Sequence, residues 1–423
     1  MSKIKNIFAR EILASGGAPS LEVTVTLESR ATGEASVSYG ASAGSKEATV
    51  LVDGDMSRYN GKGMLKAIKN INEIIGDSLV GVEAERQREI DEIMVGLDGT
   101  ENKANFGGNA ILGISLAIAR AQANEEKLPL YKYLRKVYEI GETDWTLPKP
   151  MMVMIEGGKH ADETTDLQEF MIGAIGSKTA AENVRMEMEI YNALKKILKA
   201  EKLSTNVGNE GAFAPNGITS NEKPMEYFVE AIKNAGYIPG IDAGIGIDAA
   251  ASEFFNEESK RYELKLERKI LTSDELINYY LPWISKYPII TMEDMLSEFD
   301  WDNWPKLVEK INGKFPLIAD DLTVTNTKLL QKAIDMKAAT AILIKLNQAG
   351  TLTETIDCCL LARQNNFMTM PSHRGGGETN DTFMVDLAVA VGSTYIKVGP
   401  TRGERVCKYN RLMRIEEELN QSL

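Results

Sequence analysis

The first forty residues alternate apolar and polar positions, the period of half-buried strands. That pattern predicts strands over roughly Ile4–Leu13, Leu21–Leu27 and Ala35–Val37, with Thr32-Gly33 as the hairpin turn. The period then lengthens to that of helices over roughly Gly63–Ile75, Ala84–Leu97 and Asn109–Ala123. In the second of these, Ile90, Ile93, Met94 and Leu97 fall at i, i+3, i+4 and i+7, on one face. Strands followed by a run of helices predict an α+β unit. A polar stretch near Glu139–Asp144 leads into Leu147-Pro148-Lys149-Pro150, an extended segment that a helix cannot cross. A chain of 423 residues is too long for one ordinary core, so a domain boundary is expected here, giving domains of 1–143 and 144–423.

From Met151 onward strand and helix patterns alternate. Candidate strands are Met151–Ile155, Leu167–Ile172, one ending near Val207, Ile245–Asp248, Ile289–Glu293, Leu317–Asp320, Ile342–Lys345, Phe367–Pro371 and Tyr395–Val398. Eight or nine short apolar strands of this kind predict a (β/α) barrel. Four of them stop on a charge: Asp248, Glu293, Asp320 and Lys345. In a barrel the C-terminal strand ends meet at one mouth, where active sites sit. One acid after a strand is ordinarily the cap of the next helix. Three on successive strands point instead to a divalent cation, and hard oxygen donors suit Mg²⁺. Lys345, beside a metal and a second strand-end lysine (Lys397), is expected to have a depressed pKa and to act as a general base.

The chain has two histidines, His160 and His373, and both sit in glycine-rich loops predicted at strand ends. Two further glutamates, Glu169 in Asp166-Leu167-Gln168-Glu169-Phe170 and Glu210 in Val207-Gly208-Asn209-Glu210-Gly211, join this set. A glutamate opposite a lysine base can serve as general acid. The excess of 61 acidic over 48 basic residues, a formal charge of −13, argues against nucleic acid or an anionic membrane as partner. Three cysteines without CxxC spacing (Cys358, Cys359 and Cys407) predict reduced thiols, and no apolar run reaches the ~18 residues of a membrane span. A cytoplasmic setting is expected.

These stretches together resemble the enolase family from about Ala9 to about Leu419. The resemblance is carried by Leu97-Asp98-Gly99-Thr100-Glu101-Asn102-Lys103, Gln168-Glu169-Phe170-Met171, Ile344-Lys345-Leu346-Asn347-Gln348, Ser372-His373-Arg374, Lys408-Tyr409-Asn410 and Arg414-Ile415-Glu416-Glu417. It implies an N-terminal α+β capping domain, a modified eight-stranded barrel, and a homodimer or a larger assembly of dimers. It further implies Asp248, Glu293 and Asp320 as ligands of a tightly held Mg²⁺, and Lys345 as the base removing the C2 proton of 2-phosphoglycerate. Glu210 becomes the acid that helps the C3 hydroxide leave, with Glu169 nearby. Gln168 and Lys397 would hold the substrate, His373, Arg374 and Gly375 would lie at its phosphate end, and His160 would complete the closed site. A lysine base working beside Mg²⁺ on an enediolate is chemistry for which the enolase superfamily is known.

Five stretches depart from the family's usual motifs. D-S-R-G-N-P is replaced by Ala14-Ser15-Gly16-Gly17-Ala18-Pro19. In Ser38-Tyr39-Gly40-Ala41-Ser42, Tyr39 takes the place of the serine that ligates a second Mg²⁺, which puts that ion in question. His373-Arg374-Gly375-Gly376-Gly377-Glu378-Thr379 replaces the phosphate-binding serine by Gly375 and adds a residue. Glu156 stands for an asparagine and Asn209 for an aspartate. Three readings follow: dehydration of 2-phosphoglycerate to phosphoenolpyruvate, an enolase-like lyase acting on another α-hydroxy or phosphorylated carboxylate, or a catalytically weak binding protein of the same fold.

Overall fold

The computed structural model describes residues 2–40, 46–141, 144–162 and 164–421. Ala41 and Ser42 of the Ser38–Ser42 motif, and residues 142 and 143 at the expected domain boundary, lie outside the described residues.

Strands β1 (Ile4–Leu13), β2 (Pro19–Leu27) and β3 (Thr32–Ser36) form an antiparallel sheet, followed by the short β4 (Tyr39–Gly40). Leu21, Val23, Val25 and Leu27, alternate residues of β2, are buried as the pattern predicts. The turn is displaced from its predicted place. It runs through Arg30, at φ 78°, with Leu27 and Ala31 hydrogen bonded across it, and Thr32-Gly33 opens β3. Gly33 is small for another reason: a Cβ there would strike the backbone of Ala117 and Ala121 in the helix packed on the sheet.

The expected helix over 63–75 is α1 (Leu65–Asn70), a π-helical segment Ile71–Ile75 and α2 (Gly76–Leu79). Then come α3 (Gln87–Asp98), α4 (Gly108–Glu125) and α5 (Leu130–Val137). Helix α3 buries Ile90 and Met94, while Leu97 is 45% exposed. Helix α4 is apolar on nearly every side, which a central, fully packed helix requires.

The second half alternates: β5 (Lys149–Glu156), β6 (Glu169–Ala174), α6 (Ala180–Ala200), α7 (Lys223–Asn234) and β7 (Ala243–Asp248). A small antiparallel sheet of β8 (Phe255–Asn256), β9 (Arg261–Leu264) and β10 (Lys269–Leu271) intervenes. The series resumes with α8 (Ser273–Lys286), β11 (Ile289–Glu293), α9 (Trp304–Ile311), β12 (Leu317–Ala319), α10 (Thr327–Met336) and β13 (Ala341–Ile344). It ends with α11 (Leu346–Ala349), α12 (Leu352–Gln364), β14 (Met368–Pro371), β15 (Gly376–Gly377), α13 (Phe383–Val391), β16 (Tyr395–Val398) and α14 (Gly403–Asn420).

Eight strands make the barrel in the order β14-β13-β12-β11-β7-β6-β5-β16, and a Ser372–Lys397 bridge closes it. Strand β6 runs antiparallel to both neighbours, β5 and β7, and the other paired strands run parallel, so the barrel is a modified one. Val207 belongs to no strand. It makes a single bridge to Phe213, which also bridges Ile155, because β6 already fills the place between β5 and β7. Met151, Val153, Met171, Ile318, Leu343 and Met370 pack the barrel interior below the charged mouth. Among the described residues no helix is long and apolar enough to cross a membrane. Cys358 and Cys359 are buried and unbridged, as is the half-buried Cys407.

Candidate active site

The reversed β6 sets the site's first feature. Because β6 starts at the mouth where β5, β7 and β11 end, Glu156, Glu169, Asp248 and Glu293 stand in register across four adjacent strands. Asp320 follows the end of β12, Lys345 that of β13, and Ser372-His373-Arg374 that of β14. Lys397 lies within β16, deeper in the barrel, and points its ammonium upward into this rung. Its Nζ is 2.8 Å from Glu169 Oε2, Asp248 Oδ2 and Glu293 Oε1 alike. All of these side chains except that of Lys345 are buried, so each charge must find its partner here.

The three carboxylates expected to share a metal thus lie on neighbouring strand ends, and two lysines contact them without matching their number. Lys397 takes Asp248 and Glu293, and Lys345 is hydrogen bonded to Asp320 Oδ2. Gln348 donates to the other Asp320 oxygen at 2.9 Å. Asp294, Asp320 and Asp321 also bring one oxygen each within 4.8 Å of one another. The Asp294 carboxylate accepts the Asp320 and Asp321 backbone N–H groups, both at 2.9 Å. Glu293 Oε2 is buried and has no hydrogen-bond partner among the described residues. An all-oxygen set with an orphaned buried carboxylate oxygen fits a hard divalent cation.

The protein's own charges act against the depression of Lys345 expected beside a metal. Burial lowers the Lys345 pKa, but the Asp320 carboxylate outweighs burial and the repulsion of Arg374 and Lys397, so the net shift is upward. Burial is opposed at Asp320 by Lys345, which draws that carboxyl below its usual range. Asp248 and Glu293 are raised, chiefly by burial. Asp321, with burial and the Asp320 charge acting together, is pushed up to about 8.

On the other side of the mouth the two histidines of the chain grip one glutamate. His160 Nδ1 lies 3.5 Å from Glu210 Oε1 and 3.2 Å from Glu169 Oε1. His373 Nε2 lies 3.2 Å from Glu210 Oε2. Arg405 Nε and Gly399 N both donate to His373 Nδ1, at 3.3 and 3.4 Å, which leaves the ring hydrogen on Nε2, facing Glu210. Burial disfavours the His160 imidazolium, yet Glu210 and Glu169 raise its pKa to about 9. At Glu210, burial is outweighed by His373 and His160, and the carboxyl is held well below its ordinary range.

Gln168 is buried with its Oε1 unpartnered among the described residues, and it lines the same cavity as Lys345, Glu210, Lys397 and Arg374. The Arg374 guanidinium reaches Glu47 and Asn347, both at 3.3 Å. A Cβ on Gly375 would sit 2.6 Å from His160 Nε2 and 2.9 Å from Glu210 Oε1, so a side chain there would push on both residues. The mouth therefore gathers every site residue expected from the chain. It also holds Asp294, Asp321, Glu47, Glu378 and Arg405, which the strand-end pattern does not single out. Asp294 and Asp321 directly follow predicted acids, a legible signal; Arg405 and Glu47 carry none.

Two models of known families match the chain: the enolase N-terminal domain over residues 4–134, and the enolase C-terminal TIM barrel domain over residues 144–423. The chain belongs to the enolase family. Its membership supports enolase-like lyase activity on a small carboxylate. Within that family frame, three of the five departing stretches are one packed unit. Gly16, at φ 83°, would place a Cβ 2.6 Å from Gly376 O. Ser15 exchanges hydrogen bonds with Glu378, N to O at 2.8 Å and Oγ from N at 2.9 Å. Tyr39 pairs with Gly377 between β4 and β15, and a Cβ on Gly377 would lie 2.7 Å from the Tyr39 ring. The Tyr39 backbone oxygen, 2.5 Å from that Cβ, and the ring beside it leave no room for a side chain at Gly377.

Proposed function

We propose that the protein is a Mg²⁺-dependent carbon–oxygen lyase that dehydrates 2-phosphoglycerate to phosphoenolpyruvate, with Lys345 as base and Glu210 as acid. One observation carries the reading: Lys345 and Glu210 open onto one cavity, together with both histidines, Lys397 and Arg374. A base and an acid on one cavity suit an elimination, in which a proton leaves one carbon and hydroxide leaves the next. Asp248, Glu293 and Asp320 would hold Mg²⁺, whose charge stabilises the second negative charge built by proton loss beside a carboxylate. Arg374 and Lys397 oppose the Lys345 ammonium that Asp320 holds, and Mg²⁺ drawing on the Asp320 charge would leave those two to favour the neutral amine that accepts the C2 proton. Lys397 and Gln168 orient the substrate from the barrel side, with His373, Arg374 and Gly375 at its phosphate end. His160 and Glu169 hold Glu210 in place. The chain divides into a capping domain over 1–143 and a barrel over 144–423, and works in the cytoplasm as a homodimer or a larger set of dimers.

The Gly16–Tyr39–Gly377 unit favours a second reading, the same elimination on another α-hydroxy or phosphorylated carboxylate. Enol-phosphate formation from 2-phosphoglycerate, with and without Mg²⁺, tests the first. Turnover of ~10 s⁻¹ or more, lost without Mg²⁺ and in Lys345→Ala, supports it. No turnover, with C2-deuterium exchange into a different acid, overturns it in favour of the second.

A further inference from the structure

Glu156, one of the departures noted in the sequence, ends β5 beside Glu169 and is wholly buried. Both of its oxygens accept the backbone N–H of Glu210, at 3.2 Å each. The loop is closed down on it: a Cβ on Gly208 would lie 2.5 Å from Glu156 Cδ. One oxygen of Glu156, one of Glu210 and one nitrogen of His160 lie within 4.8 Å of one another. The titratable groups facing Glu156 are Glu210 from the loop, His160 from the turn after β5, Glu169 from β6 and Tyr191 from α6. His160 is the basic one, and it already lies against Glu169 and Glu210. Among the described residues Glu156 makes no ion pair. Three buried carboxyls thus surround one imidazole, and a buried acid beside a like charge keeps its proton. Burial, then the charge of Glu210, pushes Glu156 up to about 8, while Glu210 is held low. Two acids driven apart in this way divide between them the roles of proton carrier and anion.

We propose that Glu156 is a positioning residue that fixes Glu210 through its backbone N–H and carries the one proton the two acids share. This inference rests on the lyase reading given above. When the C3–O bond breaks, its electron pair stays on oxygen, which takes a proton from Glu210 and leaves as water. Glu156 supplies that proton to Glu210, leaving two carboxylates. Solvent returns one proton to the pair as product departs, and Lys345 releases to solvent the proton it took from C2. The sum is substrate to enol phosphate plus water.

Glu156→Gln keeps an acceptor for the Glu210 N–H but has no acidic proton, and Glu156→Asn is the second variant should the first not fold. The infrared difference spectrum of the substrate-free protein against the variant should show a protonated-carboxylic-acid band at pH 7 that fades as pH rises through about 8. Absence of that band overturns the proposal whatever the substrate. With 2-phosphoglycerate and Mg²⁺, C2-deuterium exchange in the variant should stay within about twofold of the wild type. Dehydration should fall by tenfold or more, since general acids contribute ~10²–10⁴-fold. Equal loss of exchange and dehydration, or loss of neither, overturns the proposal. A wild type inert toward 2-phosphoglycerate that still shows the band supports the shared proton and overturns 2-phosphoglycerate as the substrate.

Discussion

Arg405 offers the sharpest test of how the site is held, because it touches the chemistry only through its neighbours. Its side chain is fully buried on α14. It donates to His373 Nδ1 at 3.3 Å and to Arg374 O at 3.1 Å, and its outer end pairs with Glu404. Arg405→Met leaves His373 and Arg374 buried but removes the donor from both acceptors. Each hydrogen bond from a charged donor contributes about 1.5–3 kcal/mol. A buried methionine returns about 1.5–3 kcal/mol through its apolar surface. The net cost is then about 2–3 kcal/mol, because the partners stay behind, unlike a whole ion pair exchanged for apolar residues. The expected result is an unfolding free energy, from urea melts, lowered by that amount. A larger loss of dehydration than of C2 exchange should accompany it, since His373 is then free to move its hydrogen to Nδ1 and away from Glu210. A variant within about 0.5 kcal/mol of the wild type, with dehydration unchanged, would refute the reasoning.

Three further outcomes are expected. Gly33→Ala should lower stability by about 1–3 kcal/mol in a urea melt, because its Cβ meets the α4 backbone, whereas Gly96→Ala on α3, with nothing within 4 Å, should raise it by roughly 1 kcal/mol. Glu378 is buried, yet Lys408 outweighs burial and holds it at about 2. A carboxyl lowered on folding stabilises above its unfolded pKa and loses that contribution as pH falls toward its folded one. The wild type should therefore lose about 3 kcal/mol more than Glu378→Gln between pH 5 and pH 2, measured by urea midpoints across that range. Mg²⁺ at a hundred times its Kd should raise stability by about 2.7 kcal/mol, seen as a thermal shift. Glu293→Gln should abolish that shift, and a shift retained in the variant would remove Glu293 from the proposed metal set.

Much of the fold was legible because local patterning and burial agree. The period of two in β2 and the all-round apolar face of α4 each map onto the positions their neighbours cover. The strand ends carrying Asp248, Glu293, Asp320 and Lys345 were legible for the same reason, since an apolar run that stops on a charge marks where the interior stops. The direction of β6 was not. Glu169–Ala174 is buried along its length, so its side-chain pattern reads the same whether it runs up or down the barrel. The ninth strand expected near Val207 failed for a related reason, as pairing depends on which edge is still open.

What the chain determined by itself is the inventory: an α+β unit, a barrel, and a cluster of strand-end acids and lysines. What only the tertiary structure decided is which charges face each other. Lys397 reaches Glu169, Asp248 and Glu293 from more than a hundred residues away, so one ammonium is shared among three strand-end acids. Asp320 raises rather than depresses Lys345, and Glu156 is left beside Glu210 with a backbone N–H as its partner. Coulomb energy depends on distance and burial, and neither is a property of sequence spacing once the chain has closed into a barrel.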